Sequence, residues 1–213
     1  SHPISNKDDN SIVTSPADSV PQGVWKINGN GQLNKNVKVK LLDYKNIHVD
    51  LLQGSKYANE FANGTLTHAF LNVNDYHRYH YPLTGEVIEH HTVTRGVTLS
   101  VTWSEQEKKF IPNDSLGWQY KQTHAYAILK TEKYGLVALI PMGMAQVSSC
   151  NLTWPILGHH NKGEGLGNFL FGGSDFMMLF QSKVKFTMMA PKNDDGTYKH
   201  ILMGEKYGKL SII

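Results

Sequence analysis

Three short segments hold the residue types that covalent chemistry needs. They are Ser15-Pro16-Ala17-Asp18, Asp75-Tyr76-His77-Arg78-Tyr79-His80 and Phe171-Gly172-Gly173-Ser174. Together they offer a hydroxyl, two imidazoles that could take its proton and a carboxylate that could orient one of them, the ingredients of an activated nucleophile. The glycines before Ser174 matter. Attack by the serine oxygen on the preceding carbonyl carbon needs a strained, unobstructed turn, which glycine permits. His77 and His80 lie three apart. On a helix that spacing could suit a metal; in a strand it sends the rings to opposite faces, so they would do different jobs. Each segment also has a plainer reading: Asp18 as a turn residue or helix cap, and Gly-Gly-Ser as a flexible turn.

The elements that must position these residues read mainly as short strands. Residues 23–31 read as a strand and a turn. Strand patterns follow at 36–42, 66–73, 87–91, 97–103, 125–130 and 136–142, and β character resumes over 176–189. The best helix candidate is 48–61, with apolar Val49, Leu52, Tyr57 and Phe61 and a stop at Asn63-Gly64. Residues 1–11 are polar and read as a loose or appended tail. The sum is a β-rich α+β fold, a single domain over 12–213 with a curled or barrel-like sheet.

Composition narrows the function classes. A chain of 213 residues can bury a core without staples. The net charge of +3, with scattered lysines, gives no footprint for nucleic acid and is at most compatible with an anionic surface. The single cysteine, Cys150, excludes an internal disulfide and reads as a small buried residue. No apolar run is long enough to span a bilayer, and no signal peptide is visible. His90-His91 and His159-His160 read as surface or loop histidines, because neighbours in a strand point oppositely. No metal is expected.

The three segments acquire a specific meaning together. Asp75-Tyr-His-Arg-Tyr-His80 resembles the Asp-Tyr-His-Arg-x-His signature of the phosphatidylserine decarboxylase family. Ser-Pro-Ala-Asp18 resembles that family's Ser-Pro-Ala-Asp-Gly segment, with Ser19 where a glycine is usual. Lys162-Gly-Glu-Gly-Leu-Gly-Asn-Phe-Leu-Phe-Gly-Gly-Ser174 resembles the approach to its self-cleavage site. The likeness covers roughly 12–185, in family order. It implies a phosphatidylserine-decarboxylase-like domain that cuts itself between Gly173 and Ser174, leaving a β chain 1–173 and an α chain 174–213 that stay associated. It implies that His80, oriented by Asp18, takes the Ser174 proton, and that Ser174 becomes a covalent pyruvoyl cofactor. That group would accept the substrate amine as an imine while CO2 leaves. His77 matches the family histidine tied to decarboxylation, as the acid that protonates the carbanion.

The substrate divides the family. Phe70-Leu-Asn-Val73 and Gly143-Met-Ala-Gln-Val-Ser-Ser-Cys150 resemble soluble relatives acting on free amino acids, such as tryptophan decarboxylases. Asp18 resembles the enzymes that make phosphatidylethanolamine. The expectation is a free, aromatic L-amino acid, with a phospholipid headgroup as the alternative. Peripheral membrane contact, a cytoplasmic or peripheral location and homo-oligomerisation stay open. The rivals are a family member that never matures and a lipoyl-like binding module, which needs a lysine at an exposed hairpin tip where this chain has Gly-Gly-Ser.

Overall fold

Residues 125–129 of the strand Gln119–Lys130, and the strands Leu136–Gly143 and Ser174–Phe180, carry apolar residues on both faces because they are covered on both. Val137, Leu139, Phe176, Met178 and Phe180 enter one core, while Ala138, Ile140, Met142, Met177 and Leu179 enter a second. Alternation along each strand therefore divides two cores instead of core from solvent. Each large side chain so buried contributes about 1.5–3 kcal/mol relative to exposure.

The computed structural model describes residues 3–39, 42–72, 74–98, 100–104, 109–113, 119–143, 150–169 and 174–213. Several residues singled out above lie outside these: Val73 and the stretches 144–149 and 170–173, with Gly173 among them. The side chain of Cys150 does also.

The principal sheet has seven antiparallel strands. Their order is Gly158–His160, Gly85–Thr98, Gln119–Lys130, Leu136–Gly143, Ser174–Phe180, Thr65–Leu71 and Val20–Lys26. A three-stranded sheet joins Ile12–Thr14, Lys206–Ile212 and Val184–Met188, and another joins Cys150–Leu152, Gly165–Phe169 and Arg78–His80. Two hairpins complete the described strands, Gln32–Val39 with Leu42–Asn46 and Ser100–Ser104 with Lys109–Asn113. The β-rich single domain expected from sequence is present, but among the described residues no sheet is closed or curled, and two short helical turns do not bear out the α+β class.

The helix expected over 48–61 is replaced by two single turns, Ile47–Leu51 and Ala58–Phe61. Local hydrogen bonding explains the break. The Asn46 side chain caps His48 and Val49 N–H, while the Asp50 carboxylate folds back onto Lys45 and Asn46 N–H. Gly54 then takes a left-handed φ of 83°, and Ser55 turns its hydroxyl to Glu89. Such a residue ends a helix, whatever the apolar spacing beyond it. Among the described residues no helix is long and apolar enough to cross a membrane.

Candidate active site

Asp18 sits in a buried turn that follows the strand Ile12–Thr14. Ser15 and Ser19 hydroxyls both donate to the Ala17 carbonyl, at 2.7 and 3.1 Å. Ser19, the departure from the usual glycine, is thus accommodated with its hydroxyl satisfied. The turn is gripped by residues that follow Ser174 in the chain. Ser15 N–H donates to Glu205 O, Ser19 and Ile201 exchange backbone hydrogen bonds, and Met203 N–H donates to Asp18 Oδ1 at 2.8 Å.

His80 ends the strand Arg78–His80. Its N–H donates to Pro16 O at 2.7 Å, which ties the histidine segment to the Asp18 turn. Its Nδ1 lies 3.1 Å from Gly163 O. A carbonyl can only accept, so Nδ1 carries a hydrogen, and in the neutral ring Nε2 is the basic nitrogen. Tyr76 stacks along the same ring, with centroids 6.4 Å apart. The turn that presents Gly163 O is itself fixed. Gly163 has φ of 88°, and a Cβ there would lie 2.7 Å from Ile4 Cγ1. Any side chain would suffer both the left-handed backbone and the clash.

Beside it, Lys162 is wholly buried and donates from Nζ to the carbonyls of Asn6, Asp9 and Ile12, at 2.7–2.8 Å. Burial pulls its pKa down to about 8, opposed by the Asp9 and Asp8 carboxylates. Three donors for three carbonyls is the capacity of an ammonium. Lys162 therefore anchors residues 6–12, part of the stretch read as a tail, ahead of the Asp18 turn. Lys162→Met should lower the free energy of unfolding by roughly 2–4 kcal/mol, because it strands buried carbonyls. Urea denaturation monitored by tryptophan fluorescence measures this.

Ser174 is the first residue of its strand, fully buried, with Leu71 as its Cα partner. It is no exposed hairpin tip, so the lipoyl-like carrier reading is dropped. Phe176, two residues on, shares its face. Tyr79 packs against Phe176 (ring centroids 5.9 Å apart) and against Phe169 (4.6 Å), the last described residue before Ser174. Phe169 N–H also donates to His77 O at 2.8 Å. The histidine segment is thus wedged between the two sides of the expected cut. The first part of that segment is pinned from beyond Ser174 as well, since His200 Nε2 lies 2.9 Å from Asp75 Oδ1.

The Asp18 turn is thus tied to the histidine segment through Pro16 O, and that segment packs through Tyr79 on the strand that Ser174 opens; the comparison with known sequences gives these segments a family. The family model for phosphatidylserine decarboxylase matches residues 2–209. The chain belongs to the phosphatidylserine decarboxylase family. A phosphatidylserine decarboxylase proenzyme of Fusobacterium nucleatum is 33% identical over 196 residues, which is 82% of this chain and 63% of that protein. An L-tryptophan decarboxylase of Psilocybe cubensis is 28% identical over 163 residues, 69% of this chain and 36% of that one. The decarboxylase iboD of Amanita muscaria is 26% identical over 194 residues, 84% and 53%. In each case this chain spans less than two thirds of the relative's length. Proenzymes of the phosphatidylserine decarboxylase family are pyruvoyl-dependent carboxy-lyases whose pyruvoyl group forms from a serine.

The residues here fit such a group. A small hydroxyl side chain stands wholly buried at the start of a central strand, beside a segment carrying two half-buried histidines. Four groups that hold the candidate residues or their segments escaped the reading by motif: Gly163 O, Met203 N–H, His200 and the Lys162 ammonium. Two are backbone groups, which no residue type announces. Lys162 stood inside a quoted motif, but its role depends on carbonyls about 150 positions away.

Proposed function

We propose that this chain is a self-processing decarboxylase that cuts itself between Gly173 and Ser174 and then removes CO2 from a free aromatic L-amino acid. The observation that supports the reading is the hydrogen bond of His80 Nδ1 to Gly163 O, in a segment whose Tyr79 packs on Phe176, two residues beyond the buried Ser174. It leaves Nε2 as the base. His80 takes the hydroxyl proton of Ser174, and the oxygen attacks the Gly173 carbonyl carbon. The C–N bond then breaks as the C–O bond forms, converting amide to ester. Loss of the Ser174 α-proton expels the Gly173 carboxylate, and water with loss of ammonia completes the pyruvoyl group. Asp18, held by Met203 N–H, supports the base. The pyruvoyl group supplies an electron sink for decarboxylation. His77 delivers the proton that replaces CO2.

The cut leaves the two products interlocked. The strand Ser174–Phe180 keeps both its neighbours, Leu136–Gly143 and Thr65–Leu71, and Lys206–Ile212 keeps Ile12–Thr14. All three of those neighbours belong to the β chain, so 174–213 remains bound without a covalent link.

For the substrate, the likeness of 70–73 and 143–150 to free-amino-acid enzymes, and the L-tryptophan decarboxylase among the relatives, favour an amino acid. The second reading, phosphatidylserine, rests on the higher identity to the Fusobacterium nucleatum proenzyme. A panel of free amino acids beside phosphatidylserine in mixed micelles, scored for CO2, separates them. Release from tryptophan or another aromatic amino acid without lipid is expected, and turnover of the lipid alone reverses the assignment. Release should need no added pyridoxal phosphate, and prior treatment with phenylhydrazine should stop it. Full activity after trapping rules out a pyruvoyl group.

A further inference from the structure

The residue after Ser174 belongs to a buried pair for which the reaction above has no use. Asp175 Oδ1 lies 2.7 Å from His68 Nε2, with side chains only 4% and 6% exposed. His68 comes from the strand Thr65–Leu71, and its ring is covered by Trp25 at a centroid distance of 6.1 Å. Phe70 on one side and Met142 on the other are the Cα partners of Asp175. The pair faces the core of Met177 and Leu179, opposite the face of Ser174 and Phe176. It therefore does no proton chemistry at the serine oxygen.

Stability gives no reason for it either. A buried pair of this kind rarely outperforms well-packed apolar residues, because both groups lose their hydration. What the pair offers beyond apolar packing is direction, a hydrogen bond that fixes one residue at one place on the neighbouring strand. That matters at this position. In the uncut chain Ser174 is held from both sides. After the cut it is a chain end, and chain ends fray unless tied down. Next to the new end, the Asp175 side chain ties this strand to His68 on the neighbouring one.

We infer that the His68–Asp175 pair is a positioning device for the newly made end of the α chain, holding the residue that bears the reactive carbonyl in register while it acts on substrate. This rests on the proposed self-cleavage. His68 and Asp175 are positioning residues, and their effect should appear in turnover and not in cutting.

The test compares cutting and turnover in Asp175→Ala and Asp175→Asn. Cutting is followed on denaturing gels, and CO2 release is normalised to pyruvoyl groups counted with phenylhydrazine. Asp175→Ala should be cut within about threefold of the unaltered rate, yet turn over ~10–100-fold more slowly per group, the scale of a misplacement near 1 Å. Asp175→Asn, which still accepts from His68, should recover most of that turnover. Hydrogen exchange at 175–177 should rise in cut Asp175→Ala but not in the uncut double variant Ser174→Ala/Asp175→Ala. Should Asp175→Ala fail to fold, His68→Leu/Asp175→Leu replaces the pair with apolar bulk and should show the same split. Unchanged turnover per group, or equal losses in cutting and turnover, overturns the inference. If the unaltered protein is itself uncut, the proposed self-cleavage fails and this inference falls with it. If it is cut and active and Asp175→Ala matches it, only this inference falls.

Discussion

Ser174→Ala should give a single species of 23.9 kDa on a denaturing gel, where the unaltered protein gives two. The substitution removes the only atom able to attack the Gly173 carbonyl, so the effect is loss of cutting and not a slower rate. It should leave the fold nearly untouched. Alanine is smaller than serine, and the site is a buried strand position whose backbone is held by Leu71 on the neighbouring strand. The cost is about 1 kcal/mol for the lost hydrogen bonding of one hydroxyl. Intact mass should show no blocked α-chain terminus, and CO2 release should be absent. Normal processing of Ser174→Ala would defeat the proposed function entirely. An uncut unaltered protein with serine at 174 would favour a family member that does not mature.

The second large effect is a division between the histidines. His80→Ala should accumulate precursor, with cutting slowed by ~10²–10⁴-fold, the usual contribution of a positioned general base. The ring that is lost is the one anchored by Gly163 O and tied through its backbone to Pro16. Its removal leaves the carbonyl of a fixed turn without that donor, a cost of about 1–3 kcal/mol that the fold should survive. Asp18→Ala should move in the same direction. His77→Ala should be cut at close to the normal rate, because the structural tie of His77 to Phe169 is made by its backbone carbonyl, which alanine retains. Its CO2 release should fall by ~10²-fold or more if it is the proton donor. Time courses of band intensity, run beside CO2 release, measure both. Precursor accumulating in His77→Ala would mean that the two roles are exchanged.

How much of this was legible depends on where the information lies. Asp18, His77, His80 and Ser174, the proposed site residues, stood out because the chemistry proposed needs side chains of particular types, and because three motifs in one order are hard to meet by chance. Strand character was legible at 136–142 and 176–189 because β-branched, aromatic and unbranched apolar residues run together there. The helix over 48–61 was misread because its apolar spacing was right, while Asn46, Asp50 and Gly54 spent their side chains and backbone freedom on local alternatives. Apolar periodicity also left the sheet's closure open. The same alternation serves an open sheet between two cores and a barrel around one.

The sequence by itself determined the chemistry on offer: a serine after two glycines, two histidines three apart, an aspartate in a turn, and a chain of strands to carry them. These are properties of residue type and short spacing. Only the tertiary structure decided which groups hold that chemistry in place. The group that accepts from His80 Nδ1 is a carbonyl 83 positions away, and the donor to Asp18 is a backbone N–H 185 positions away. Lys162 reaches three carbonyls across about 150 positions, and His68 meets Asp175 across 107. Backbone donors and acceptors are nearly the same at every residue, so no pattern along the chain distinguishes them. They become specific partners only when packing of the two cores brings distant strands into register.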